Sequence, residues 1–186
     1  TFRSPAGRFA PATDGLKIIR YDSQPSHVTL DPTTFAKYLD EEGLEHVAEI
    51  RRERSIENLP VHERFVRCAK ALVIPDGDTI SGHDRAIGQT LEIVLISDVS
   101  ELAPGGEIEV RLLWLGNPAP NHLIRGFIPS RTDMTDDVRT DQDGVAGISV
   151  KLAIGFNHQL ILIQGAAAGQ CQRIIELNHL RGDDTY

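Results

Sequence analysis

Apolar and polar positions alternate over three stretches in the second half of the chain. Leu91, Ile93 and Leu95 form the first, Ile108, Val110, Leu112 and Trp114 the second, and Ile148, Val150, Leu152 and Ile154 the third. Successive strand side chains point to opposite faces, so each run predicts a strand with one core face and one wetter face. Leu160 to Ile163 is apolar on both faces and predicts a central strand. Turn-forming residues stand between these runs: Pro104-Gly105-Gly106, Gly116-Asn117-Pro118 and Asp141-Gln142-Asp143-Gly144. Short strands so punctuated predict an antiparallel β-sandwich from about Gln89 to Ile163 rather than a βαβ layout. Gln172 to Leu177 predicts a closing edge strand, with a terminal helix as the alternative.

The first half has a different period. Leu16–Tyr21 and Ser26–Leu30 read as strands among Pro, Gly and Ser. Asp31 then predicts a helix N-cap, because its carboxylate can accept from backbone N–H groups left without partners. Pro32 follows at the first helical position, where a missing N–H costs nothing. Phe35, Tyr38 and Leu39 share a face, Gly43 interrupts, and Leu44, Val47 and Ile50 resume the stripe toward Arg54. Phe65, Cys68, Ala69 and Leu72, at spacings of three and four, predict a third helix over Val61–Leu72. The expected organisation is strands over residues 1–30, a two- to three-helix connector over 31–74, a loop over 75–88 and a sandwich over 89–180.

Charge and composition narrow the partners. The formal net charge is −8, and the densest basic cluster is Arg51-Arg52-Glu53-Arg54, so a nucleic-acid partner is not expected. No apolar run approaches the roughly 20 residues of a membrane-spanning helix, so no such segment is expected in this chain. Thr1 reads as the start of a processed or truncated chain. Two cysteines, Cys68 and Cys171, are too few for a disulfide scaffold, and whether they pair is left open.

Catalytic chemistry finds little support. His62-Glu63-Arg64-Phe65-Val66 begins like a zinc-peptidase helix, but Val66 stands where the second histidine must be. Glu42, His46 and Glu49 would share a helix face, which reads first as a solvated, salt-bridged surface. His83-Asp84, in the glycine-rich loop, is the weak candidate for a divalent metal, since imidazole beside carboxylate suits a borderline ion. Asp141, Asp143 and Gly144 resemble the start of a calcium loop, yet Lys151 and Leu152 occupy the neighbourhood of its closing glutamate, and a hairpin turn explains them. No nucleophile elbow, phosphate-cradling loop or dinucleotide fingerprint occurs. The expectation is a protein with no catalytic residues and no required cofactor, not an enzyme.

The segment Y-D-S-Q-P-S-H-V-T-L-D-P-T-T-F-A-K-Y-L-D-E-E-G-L-E-H-V, with the later R-F-V-R-C-A-K-A-L, resembles a family of bacterial periplasmic proteins of unknown function. That family is often grouped with the substrate-specific components of nickel and cobalt uptake systems. The resemblance covers roughly residues 16–155, and E-G-L and K-A-L are its most specific parts. The stretches L-E-I-V-L-I-S-D, P-G-G-E-I-E-V-R-L-L-W-L-G-N-P-A-P and R-T-D-Q-D-G-V-A are also similar to transthyretin-like and carboxypeptidase-regulatory-like modules. The resemblance implies an extracytoplasmic, mostly β protein: an immunoglobulin/transthyretin-like antiparallel sandwich preceded by a helical connector. Residues 1–30 would then be the residual strands of a truncated first sandwich. It further implies a binding or accessory module linked to nickel or cobalt uptake, with a membrane transport or surface complex as partner. A structural or protein-interaction sandwich without a small ligand is the alternative.

Overall fold

The structure, a computed structural model, describes residues 15–75, 81–98, 106–128, 131–149, 161–167 and 171–180. Its elements run β1 (Lys17–Asp22), β2 (Ser26–Leu30), α1 (Pro32–Glu41), α2 (Glu45–Glu53), β3 (Val61–Pro75), β4 (Leu91–Leu95), β5 (Glu107–Trp114) and β6 (Asn117–Pro118). β7 (Leu123–Ile128), β8 (Arg131–Arg139), β9 (Val145–Ser149), β10 (Ile161–Ala167) and β11 (Cys171–Leu180) complete them. A seven-stranded sheet has the order β1-β3-β11-β10-β7-β8, with β2 alongside the first half of β3. A four-stranded sheet is built on β5, which pairs with β4, β6 and β9. The mostly β sandwich with a helical insert is therefore what forms.

The core lies between the sheets. Cys68, Leu72 and Ile124 from the larger sheet pack with Leu91, Ile93, Leu95, Ile108, Val110, Leu112, Ala146 and Ile148 from the smaller. On β5 the alternation is plain, with Ile108, Val110 and Leu112 buried and Glu107, Glu109 and Arg111 exposed. Gly126 on β7 lies directly against the smaller sheet: a Cβ there would stand 2.3 Å from Ile148 Cγ2. Gly126→Ala is accordingly expected to lower stability by about 1–3 kcal/mol through overpacking, read as a lower urea midpoint with unchanged slope.

The helices cover the opposite face of the larger sheet. Ile124 and Gly126 face the smaller sheet, so Leu123 and Arg125 between them face outward. Outward Arg125 forms a bidentate pair with Asp137 and donates to Glu41 O at the end of α1 (3.0 Å). Arg139 donates to Gly43 O (3.2 Å) and grips the Glu45 carboxylate (2.7 and 2.8 Å). Gly43 has φ +66°, and a Cβ on it would meet Leu123 Cβ and Arg139 Nη2 at 3.0 Å, so the Glu42-Gly43-Leu44 turn docks only with glycine at its centre. A second small core of Phe35, Leu39 and Leu44 closes the helical layer over Leu30 and Val61. Burial there, with the charges of Glu63 and Glu42, pushes the Tyr38 phenol up to about 12.

Local chemistry explains the helix ends. Asp31 accepts from the Thr34 backbone N–H (3.0 Å) and from its hydroxyl (2.6 Å), with Pro32 at the first position, as expected. Arg51 stacks on the Phe35 ring at 5.2 Å and donates to Ile56 O and Leu59 O, which ties the descent from α2 to the helical core.

Several expectations are corrected. The third helix over Val61–Leu72 is instead β3, so the stretch 31–74 holds two helices and then a 15-residue strand. Strand β3 is paired along both edges: β2 and β1 run antiparallel on one side and β11 runs parallel on the other. These ladders outweigh a weak helical stripe. Strand β11 is not an edge strand or a helix but lies between β3 and β10, and its parallel pairing departs from a purely antiparallel sandwich. The apolar–polar pattern predicts neither β7 nor β8. The Asp141–Gly144 turn closes no hairpin within a sheet, because it carries the chain from β8 in one sheet to β9 in the other. Leu160 and the expected strand residues 150–154 lie outside the described residues, as do residues 1–14. β10, paired on both sides, is central as expected.

Candidate functional site

Strand parity puts Val66, Cys68, Lys70 and Leu72 of β3 in one inward-facing row. Leu16 and Ile18 continue the apolar surface toward β1, where Arg20 and Asp22 follow in the same row. A lysine within a core row requires compensation, because a buried charge is tolerated only when paired and hydrogen-bonded. Glu92 on β4 supplies it. The Lys70 and Glu92 side chains are 0% and 2% exposed, with Nζ and Oε1 at 2.9 Å.

Both groups are saturated with partners. Lys70 Nζ also donates to Arg85 O (3.3 Å) and Ile93 O (3.4 Å). Glu92 Oε1 accepts from Ile87 N (2.7 Å), and Oε2 accepts from Gly88 N (2.8 Å) and Gln89 N (3.1 Å). The carboxylate thus receives three consecutive backbone N–H groups and one ammonium. Burial pushes its pKa up, but the Lys70 hydrogen bond, the backbone donors and the Lys70 charge outweigh it and leave Glu92 below the ordinary glutamate value.

A second set of contacts adjoins this pair. Arg20 faces Lys70 directly across the β1–β3 ladder, an unfavourable like-charge pairing that Asp22 and Glu92 offset. Arg20 is ion-paired with Asp22 and donates to Ile87 O (3.1 Å). Gln89 Nε2 donates to Tyr21 O, Asp22 Oδ1 and Ala69 O at 3.1–3.3 Å. Burial raises the Asp22 carboxyl, but hydrogen bonds from Arg20, the Cys68 thiol and Gln89 bring it below the ordinary aspartate value. Among the described residues Gln89 Oε1 is the one buried side-chain polar atom with no hydrogen bond. Chemically the cluster is a clasp: two cations and two anions, closed on each other and on backbone, pin the 85–90 segment against β1 and β3.

The residues singled out from sequence are not gathered at this clasp. His83 is half-buried, with Nε2 3.3 Å from Ile96 O, and Asp84 beside it is exposed. Among the described residues no three of His, Cys, Asp and Glu come together as a metal site. Glu42 is the C-cap of α1 whereas His46 and Glu49 lie on α2, so the three do not share one helix face. His62 is on strand β3, which removes the peptidase-helix reading, and His122 Nδ1 sits 2.8 Å from Pro120 O in a loop. Cys68 is a buried thiol outside any disulfide, and Cys171 takes the register position facing Val66, two steps along. The sequence does not mark Lys70, Glu92 and Gln89 as a cluster. Their signal was a glutamate inside Leu91-Glu92-Ile93-Val94-Leu95, all five residues of which are buried.

Fold and clasp define a helix-covered β-sandwich module with a buried, hydrogen-bonded ion pair between its sheets. The family described as Domain of unknown function (DUF4198) matches residues 5–153, and the chain belongs to that family. No curated protein and no solved structure matches it. Among the described residues no helix is long and apolar enough to cross a membrane.

Proposed function

We propose that this chain is a non-enzymatic, extracytoplasmic binding module that acts as an accessory to nickel or cobalt uptake, with a transthyretin-like sandwich as its scaffold. One observation carries the non-enzymatic part: Lys70 and Glu92, the charged pair buried in the sandwich, are engaged with each other and with backbone rather than held ready for a reactant. An acid–base pair in catalysis needs a group within reach of a substrate proton, and a carboxylate holding four donors has no such freedom. The extracytoplasmic and metal-uptake parts rest on the periplasmic family that the sequence resembles. The sequence offers His83 and Asp84 as ligands, but among the described residues no third ligand joins them.

Two measurements on cells carrying the natural gene test it. Osmotic-shock fractionation should release the protein with the periplasmic contents. Deleting the gene should lower cellular nickel or cobalt at limiting supply, measured by elemental mass spectrometry. Unchanged nickel and cobalt in the deletion strain would contradict the uptake role. A structural or interaction role is the second reading, favoured by Ile19 and Tyr21 on edge strand β1, exposed at 38% and 59%.

A further inference from the structure

A second pair of metal-ligating side chains stands on the ribbon formed by β2 and the start of β3. In its antiparallel register His27 faces Arg64 and Thr29 faces His62, so His27 and His62 are diagonal neighbours on one face. Both are exposed. The other face of the ribbon carries Leu30 and Val61, packed beneath the helices, which leaves the histidine face to solvent. Diagonal neighbours across such a ladder are roughly 7–8 Å apart, with Cβ atoms somewhat closer, within reach of aromatic side chains turned toward a common point.

One of the two rings is already oriented. His62 Nδ1 lies 2.9 Å from Thr29 Oγ1. In the tautomer whose Nδ1–H donates to that hydroxyl, the Nε2 lone pair is left for a ligand. Metal-binding histidines are commonly held this way, the second nitrogen fixed by a hydrogen bond that sets tautomer and ring direction. Neutral imidazole suits nickel, copper, cobalt and zinc rather than calcium or magnesium. Arg64, directly across from His27, adds positive charge at one side, which keeps such a site weaker than a closed four-ligand centre.

We propose that His27 and His62 form a two-histidine surface site for a borderline transition-metal cation, with Thr29 as the residue that positions His62. Water or a donor from another molecule completes the coordination, so the site can hand on or share its ion. The inference rests on the β2–β3 register and needs the uptake reading only for its biological use.

Calorimetric titration of the purified protein with Ni²⁺, Co²⁺ and Zn²⁺ tests it. One ion per chain is expected, with binding lost in His27→Gln/His62→Gln and weakened about tenfold in Thr29→Val, as for other second-nitrogen partners. The substituted positions are on the surface, and circular dichroism of each variant verifies the fold. Binding that survives the double substitution would overturn the site, all the more if His83→Asn abolished it. No binding by the unsubstituted protein would also overturn it. Cellular nickel and cobalt levels, read separately, would still decide the uptake role.

Discussion

Glu92→Leu is expected to lower the unfolding free energy by roughly 4–5 kcal/mol, the upper end for breaking a buried ion pair. Two penalties combine: Lys70 Nζ keeps its charge at 0% exposure, and the N–H groups of Ile87, Gly88 and Gln89 lose their acceptor. Lys70→Met should cost less, about 3 kcal/mol, because the carboxylate it leaves behind retains three backbone donors. The order of the two variants, from guanidinium unfolding, is the informative result. Equal losses would mean that the loop amides contribute nothing. Against a typical 5–15 kcal/mol, Glu92→Leu leaves a marginally folded protein, so Glu92→Gln, which keeps an acceptor without the charge, is the milder companion.

The same carboxylate fixes the sign of the pH dependence. Its folded pKa is depressed, so its contribution is present above the ordinary carboxylate range and is lost as pH falls through the folded value. Asp22, also depressed, acts with the same sign. Stability should therefore fall from about pH 5 downward, and less steeply in Glu92→Gln than in the unsubstituted protein.

Away from the clasp, Gly144→Ala has the largest expected effect, about 3 kcal/mol, as the sum of a left-handed backbone cost and an overpacking cost. Gly144 has φ +74°, and its Cβ would stand 2.6 Å from Leu112 O and 3.0 Å from Ala119 N, backbone atoms that cannot swing aside. The turn is fixed from both ends. Asp141 Oδ1 accepts from Asp143 N and Val145 N, Asp141 N donates to Val145 O, and Gly144 O accepts from Leu112 N. Gly116→Ala separates the two costs, because Gly116 has φ +80° with no atom within 4 Å of a new Cβ. It should lose only the conformational part, about 1–2 kcal/mol. A Gly144→Ala loss no greater than that would remove the steric argument.

What could be read from sequence, and what could not, follows from where polar side chains sit. β2, β5, the Asp31-Pro32 helix start and the interruption at Gly43 are legible because each obeys a local rule of alternation, capping or turn chemistry, whereas β4 forms where expected but has both faces buried instead of one wetter face. β3 is not legible. Its inward row reads Val66, Cys68, Lys70, Leu72, so the lysine breaks the period of two. Its outward row is also partly apolar, with Val61 packed into the helical core and Val73 buried. The interaction that neutralises Lys70 is contributed by Glu92, 22 residues away, which no local pattern can announce. The clasp therefore concealed both itself and the strand that carries it. The K-A-L segment, whose spacing predicts a helix, lies within β3 with its lysine in the clasp, and E-G-L is the turn that seats the helices.

Amide hydrogen exchange at Ile87, Gly88 and Gln89 tests most directly whether the buried charges serve as this clasp. Strand-like protection of all three at neutral pH, lost in Glu92→Leu while β5 remains protected, is the predicted result. Exchange at the rates of an open loop in the unsubstituted protein would contradict it.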